Sequence, residues 1–126
     1  MGITQVTALV RNTANPDKSW EGLFLVDTGA VDCLVPARHL RELGIVPQTK
    51  REYELADGSK LSFEVAGAQI EFMGEMVWVT VLFGPDDAEP ILGVTALESV
   101  GIEVDPRNQR LKRLPSVRLK GFKRLT

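Results

Sequence analysis

Apolar and polar positions along this chain change period often and in short runs. Ile3 to Val10 alternate loosely and are rich in Thr and Val, which predicts a strand, and Asn12 to Lys18, with two Asn, a Pro and an Asp, predicts a hairpin loop. Trp20 to Val26 returns as a second strand, ending in the continuous apolar run Leu23-Phe24-Leu25-Val26 expected of a buried strand. Pro36 to Gly44 predicts a short helix, with Pro in the first turn and Gly just past the end. Arg51 to Ala56 and Lys60 to Val65 flank Asp57-Gly58, the signature of a tight hairpin whose turn needs positive φ. Ala68 to Met73 and Met76 to Phe83 form a further pair around Gly74-Glu75, and the nearly continuous apolar stretch Trp78 to Phe83 predicts a central strand. An acidic loop, Gly84 to Pro90, leads to a short buried strand, Ile91-Leu92-Gly93. A helix over Thr95 to Val100 ends at Gly101, and Ile102–Asp105 and Gln109–Leu111 surround the turn Pro106-Arg107-Asn108. Many short strands and two short helices make a mainly β domain.

Composition narrows the class. The chain has 126 residues, 44% hydrophobic and 25% charged, which suits one domain with one core and is too short for two full lobes. That domain is expected over 1–114, followed by a basic tail, 115–126, read as solvated or as a strand at an interface. A net charge of -2 with one His gives no reason to expect nucleic acid as a partner. The single cysteine, Cys33, allows no intrachain disulfide and no cysteine-based zinc site, and reads as a small buried hydrophobe. No segment approaches the apolar length of a membrane span, and the first residues lack the charged start and apolar core of a signal peptide. The expected setting is therefore cytoplasmic, with no membrane partner.

Candidate chemistry concentrates at Asp27-Thr28-Gly29-Ala30, which follows the buried run and precedes another, Leu34-Val35. A carboxylate at the end of a buried strand is costly unless paired or used, and such groups are candidate catalytic residues. Thr28 supplies a hydroxyl that can lock a neighbouring backbone, and Gly29 permits close approach to the main chain. An Asp-Thr-Gly after a strand is equally a plain turn, since Asp and Gly both favour turns. His39 reads as a solvated helix residue rather than a ligand.

Three parts in order decide between these readings: Phe24-Leu25-Val26-Asp27-Thr28-Gly29-Ala30, the hairpin across Ala56-Asp57-Gly58-Ser59, and Leu82-Phe83-Gly84-Pro85 leading to Ile91-Leu92-Gly93 and a helix. Together they resemble the retroviral-type (retropepsin-like) aspartic proteases from about Trp20 to Leu111. The resemblance implies a single-lobe β-barrel with two short helices and a flap hairpin, and an activity of peptide hydrolysis. Two carboxylates share one proton, one acting as base towards a water and the other as acid towards the scissile carbonyl. With one Asp-Thr-Gly per chain, the second Asp27 must come from a second copy across a two-fold axis.

The resemblance further implies that Asp27 is catalytic and that Thr28, Gly29 and Gly93 support its loop. It places Leu25, Ala30, Asp32, Leu34 and Ile91 at the substrate, with Ala56, Asp57, Gly58 and Ser59 of the flap. No metal or other cofactor is implied, and the partners are a second copy and a peptide or protein substrate. Two departures stand out. Retroviral members usually carry an acid after Asp-Thr-Gly-Ala and an Arg after the later Gly, where this chain has Val31 and Val94, so packing can replace that ion pair. The alternatives are a catalytically weak, protease-like dimerisation or peptide-binding module, and an unrelated small β domain in which Asp27 caps a turn.

Overall fold

A computed structural model describes residues 4–124; Ile3 of the first expected strand, and Leu125 and Thr126 of the tail, lie outside it. The chain runs β1 (Gln5–Asn12), β2 (Asn15–Asp27), β3 (Cys33–Pro36), α1 (Ala37–Glu42), β4 (Thr49–Glu54), β5 (Lys60–Phe72), β6 (Glu75–Gly84), β7 (Ile91–Gly93), α2 (Val94–Ser99), β8 (Ile102–Asp105) and β9 (Arg110–Arg113). Seven strands form one sheet in the order β1-β2-β7-β3-β6-β5-β4, and β1 also pairs with β5. That extra pairing curls the sheet round into a barrel-like ring, with β4 outside it on β5 and the β8–β9 hairpin separate.

Each strand of the ring sends at least one wholly buried side chain inward: Val10, Phe24, Leu92, Val35, Val81 and Ile70. Burying groups of this size contributes about 1.5–3 kcal/mol each, so the inward face of the sheet is what holds the ring closed. Leu40 of α1, and Ala96 and Leu97 of α2, cap the same core. No polar or charged residue is buried among the described ones. Both helices sit as the sequence predicts. Pro36 precedes α1 in extended conformation, and Gly44 ends it at φ 78°, its N–H donating to the Arg41 carbonyl. Gly101 ends α2 at φ 69°.

Four local expectations change. The loop expected over Asn12 to Lys18 is a tight turn at Thr13-Ala14, because the Asn12 side chain accepts the Ala14 N–H and a register shift at Arg11/Asn12 absorbs the extra residues of β2. The two strands expected over Lys60–Val65 and Ala68–Met73 are one, β5. It passes from pairing with β4 to pairing with β6 at Val65, and the Gly67 N–H, beyond the first residue of β4, donates to the Gln48 side chain. Trp78 is 67% exposed although β6 is central, because burial on both faces begins at Val81. His39 stacks on Trp20 with ring centroids 4.1 Å apart rather than standing in solvent, since Trp20 folds across Gly22 onto α1.

Candidate active site

β2 delivers Asp27 at its last residue, and the neighbouring strand fixes where that residue stands. Parallel pairing sets Leu25 beside Ile91, Val26 beside Leu92 and Asp27 beside Gly93, while β3 brings Leu34 to the other side of Ile91. Leu25, Ile91 and Leu34 therefore share one face of three adjacent strands, all half-buried. Leu34 leans across Gly84, where any side chain would collide with it.

Past Asp27 the chain turns on its own carboxylate. The Gly29 N–H donates to Asp27 Oδ1 at 2.9 Å and the Ala30 N–H to the Asp27 carbonyl at 3.1 Å. The loop is then tied to the start of α2: the Ala30 carbonyl accepts the Val94 N–H at 2.8 Å and the Val31 carbonyl accepts the Thr95 N–H at 3.2 Å. These are donors that the first turn of a helix leaves unpaired. Backbone bonds thus join the two segments at Val31 and Val94, and the Val31 side chain is 62% exposed.

Gly93 is the seat of the loop. A Cβ there would stand 2.4 Å from the Asp32 carbonyl oxygen and 2.8 Å from that of Val31, both backbone atoms that cannot swing aside. Its N–H donates to Cys33 Sγ at 3.4 Å. Burial pushes the Cys33 thiol up to about 11, which keeps it neutral and unreactive. Asp27 itself is half-buried; Oδ1 is engaged by Gly29, and Oδ2 has no hydrogen-bond donor among the described residues. Thr28 is exposed and lines a cavity of about 340 Å³ shared with apolar Val94, Leu97, Ile102, Val104 and Leu114 and with charged Glu98, Glu103 and Arg118. No cluster of three metal-ligating side chains occurs among the described residues.

Leu25, Asp27, Thr28, Gly29, Ala30, Asp32, Leu34, Ile91 and Gly93 thus gather at one end of the barrel. Ala56, Asp57, Gly58 and Ser59 stand apart, at the tip of the β4–β5 hairpin. There the Leu55 N–H donates to the Ser59 carbonyl, the Gly58 N–H to the Leu55 carbonyl, and the Ser59 N–H and hydroxyl to Asp57 Oδ1. Gly58 has the positive φ, 85°, that the tight turn needs, and it is the one residue of Leu55 to Ser59 that has it. The Ser59 hydroxyl, with help from its N–H, holds the Asp57 carboxyl below its ordinary value.

Two residues at the site escape the sequence reading. Tyr53 Oη donates to Asp32 Oδ2 at 2.6 Å, and Arg51 Nη1 stands 3.6 Å from the same oxygen. The available signal is that Arg51 and Tyr53 are two apart on a strand and so share a face, but nothing local aims that face at Asp32.

Residues 14–96, well over half of the chain, match the family described as Aspartyl protease. No curated protein sequence matches. Among solved structures, the chain is similar to the protease of Simian Foamy Virus (mac) in solution, with 19% identity, a TM-score of 0.53, 75% of this chain covered and 91% of that one. It is also similar to a foamy viral protease-reverse transcriptase in complex with an RNA/DNA hybrid, with 20% identity and a TM-score of 0.56, over 75% of this chain and 11% of that larger one. The fold is the retropepsin-like one.

Proposed function

This chain belongs to the aspartyl protease family, and we propose that two copies form a homodimeric aspartic endopeptidase in which each contributes Asp27. One observation carries the reading. A single carboxylate is held at Oδ1 by Gly29, on a loop that Gly93 and α2 fix in place, with Oδ2 unengaged. One chain provides half of a carboxylate pair, and a two-fold axis beside Asp27 and the exposed Thr28 completes it.

In the pair, two like charges a few ångströms apart cannot both ionise easily, so one proton is retained. The ionised Asp27 takes a proton from water as it attacks the scissile carbonyl, and the protonated Asp27 gives its proton to the carbonyl oxygen. The tetrahedral intermediate collapses when the amine leaves with a proton. No metal is needed in this scheme. Thr28 stiffens the paired loops, and the β4–β5 hairpin folds over an extended peptide as a flap. Half-buried Leu25, Leu34 and Ile91 support a preference for apolar side chains at the cleaved bond, with Ala30 at the backbone of the same loop. A reducing, cytoplasmic setting belongs to the same proposal and is consistent with a buried free thiol at Cys33.

The test is peptide cleavage by wild type and Asp27→Asn across one dilution series followed by sedimentation. Activity that tracks the dimer fraction, peaks at acid pH, survives chelator and vanishes in Asp27→Asn is the expected result. A fully active monomer, or turnover by purified Asp27→Asn, overturns it. Peptide binding without turnover would leave a binding module in its place.

A further inference from the structure

Asp32 is where the loop that carries Asp27 meets β4. Its side chain is 13% exposed and accepts the Tyr53 hydroxyl at 2.6 Å, with Arg51 at 3.6 Å. A carboxylate so covered is costly unless donors surround it, so its geometry depends on β4 keeping its place. The β4–β5 register sets Tyr53 opposite Leu61 and Arg51 opposite Phe63, which puts all four side chains on the face of the hairpin that reaches the loop. The Tyr53 ring meets Phe63 edge-on at 6.0 Å, so holding Tyr53 down holds Phe63 with it. Beyond this face the hydrogen bonds of the tip are internal to the hairpin.

We propose that Tyr53, assisted by Arg51, latches onto Asp32 and sets the height of the β4–β5 hairpin above Asp27. In this arrangement Tyr53, Arg51 and Asp32 are positioning residues, and Leu61 and Phe63 form an apolar roof over the bound peptide. Asp32 acts through the hairpin, because Tyr53 and Arg51 already take up one of its oxygens. The inference rests on the reading that the hairpin covers substrate, but the latch is measurable without turnover. Burial first, and then the bond to Asp32, raise the Tyr53 phenol above its ordinary value, so it remains a donor across the working range of an acid enzyme.

Amide hydrogen exchange over residues 50–64 of the full chain, thermal unfolding and peptide kinetics should be measured for Tyr53→Phe, Asp32→Asn, Asp32→Ala and the double variant Tyr53→Phe/Asp32→Ala. Loss of the phenol is expected to speed hairpin exchange and raise KM, each by about tenfold, with kcat changed less. Asp32→Asn keeps an acceptor for the phenol and should stay nearer to wild type than Asp32→Ala. The double variant should be no worse than the worse single one, since both remove one interaction. Unchanged exchange in Tyr53→Phe, or fully additive effects in the double variant, overturns the latch. If wild type cleaves no peptide while exchange follows the expected pattern, the protease reading fails and the latch stands. If wild type cleaves and Tyr53→Phe alters neither exchange nor KM, the reverse holds.

Discussion

Asp27 and Asp57 make the same local structure. Each sits in a turn, and each accepts at Oδ1 the N–H two residues ahead, at 2.9 Å in both cases. Their surroundings separate them. The Asp27 turn rests on Gly93 and on two backbone bonds from α2, residues more than sixty positions away. At the Asp57 turn, nothing stands within 4 Å of where a Gly58 side chain would be, and Asp57 is fully exposed. A short polar motif therefore defines a turn, and long-range packing decides whether the turn is buttressed or left exposed.

The sharpest break in that comparison exchanges each carboxylate for its amide. Asp27→Asn should lower peptide turnover by about 10³-fold or more, because an amide cannot accept the proton of water, while the near-isosteric fold persists. Asp57→Asn should leave turnover within about twofold, because an exposed tip carries no chemistry. Matched kinetics on the two variants check this; equal losses would erase the distinction.

Next in size are the two glycines. Gly93→Ala drives a methyl into backbone oxygens and should cost about 3 kcal/mol of stability, read by denaturant unfolding. Gly58→Val meets open space and should cost about 1–2 kcal/mol, from positive φ alone. Under the proposed flap role, its larger effect should be on kcat/KM, because a distorted tip would offer poorer backbone contacts to substrate. Severe unfolding of Gly58→Val with unchanged turnover per folded chain would make the hairpin a purely structural element.

Much of the platform was legible in the sequence because its signals are local. The apolar run before Asp27, the Asp-Thr-Gly turn, Pro36 and Gly44 around α1, and Gly58 at the hairpin tip each act through neighbours in the chain. What stayed illegible depends on distant partners. Gly67 reads as a break between strands, and only the Gln48 side chain, placed just before the start of β4, lets β5 run through it. The exposure of Trp78 follows from where burial on both faces of β6 begins. Tyr53 and Asp32 are 21 residues apart and meet only because β4 is carried by β5 past the active-site end of the barrel. His39 looked solvated because nothing in α1 announces that Trp20 will fold onto it.

A third test uses Cys33 beneath the platform. With its thiol pushed up to about 11 by burial, alkylation should be negligible in the native protein at neutral pH and rapid after unfolding, followed by mass shift. In Gly93→Ala, the native protein should label faster, because its seat is disturbed.

The smallest effect belongs to the tip. The folded Asp57 carboxyl titrates below its ordinary value, so its bonds to Ser59 contribute above that ordinary value and are lost as pH falls through the lowered one. Amide exchange at Leu55 to Ser59, corrected for its intrinsic pH dependence, should show extra opening only below about pH 4. Ser59→Ala, which removes the leading cause of the shift, should shrink that extra opening.

The pairing of Asp27 with Gly93 also orders events during synthesis. The hairpin of β1 and β2 is complete once residue 27 has emerged, yet its last residue has no neighbour until β7 follows, 66 positions later in the numbering. Contacts of such separation form late, after the entropy of closing the intervening segment has been overcome. A nascent chain stalled before Ile91 can hold the β1–β2, β4–β5 and β5–β6 hairpins and still present Asp27 on an unsupported turn. The carboxylate is thus unsupported until that stretch has followed, and the chain is expected to be inert until β7 and α2 have been made.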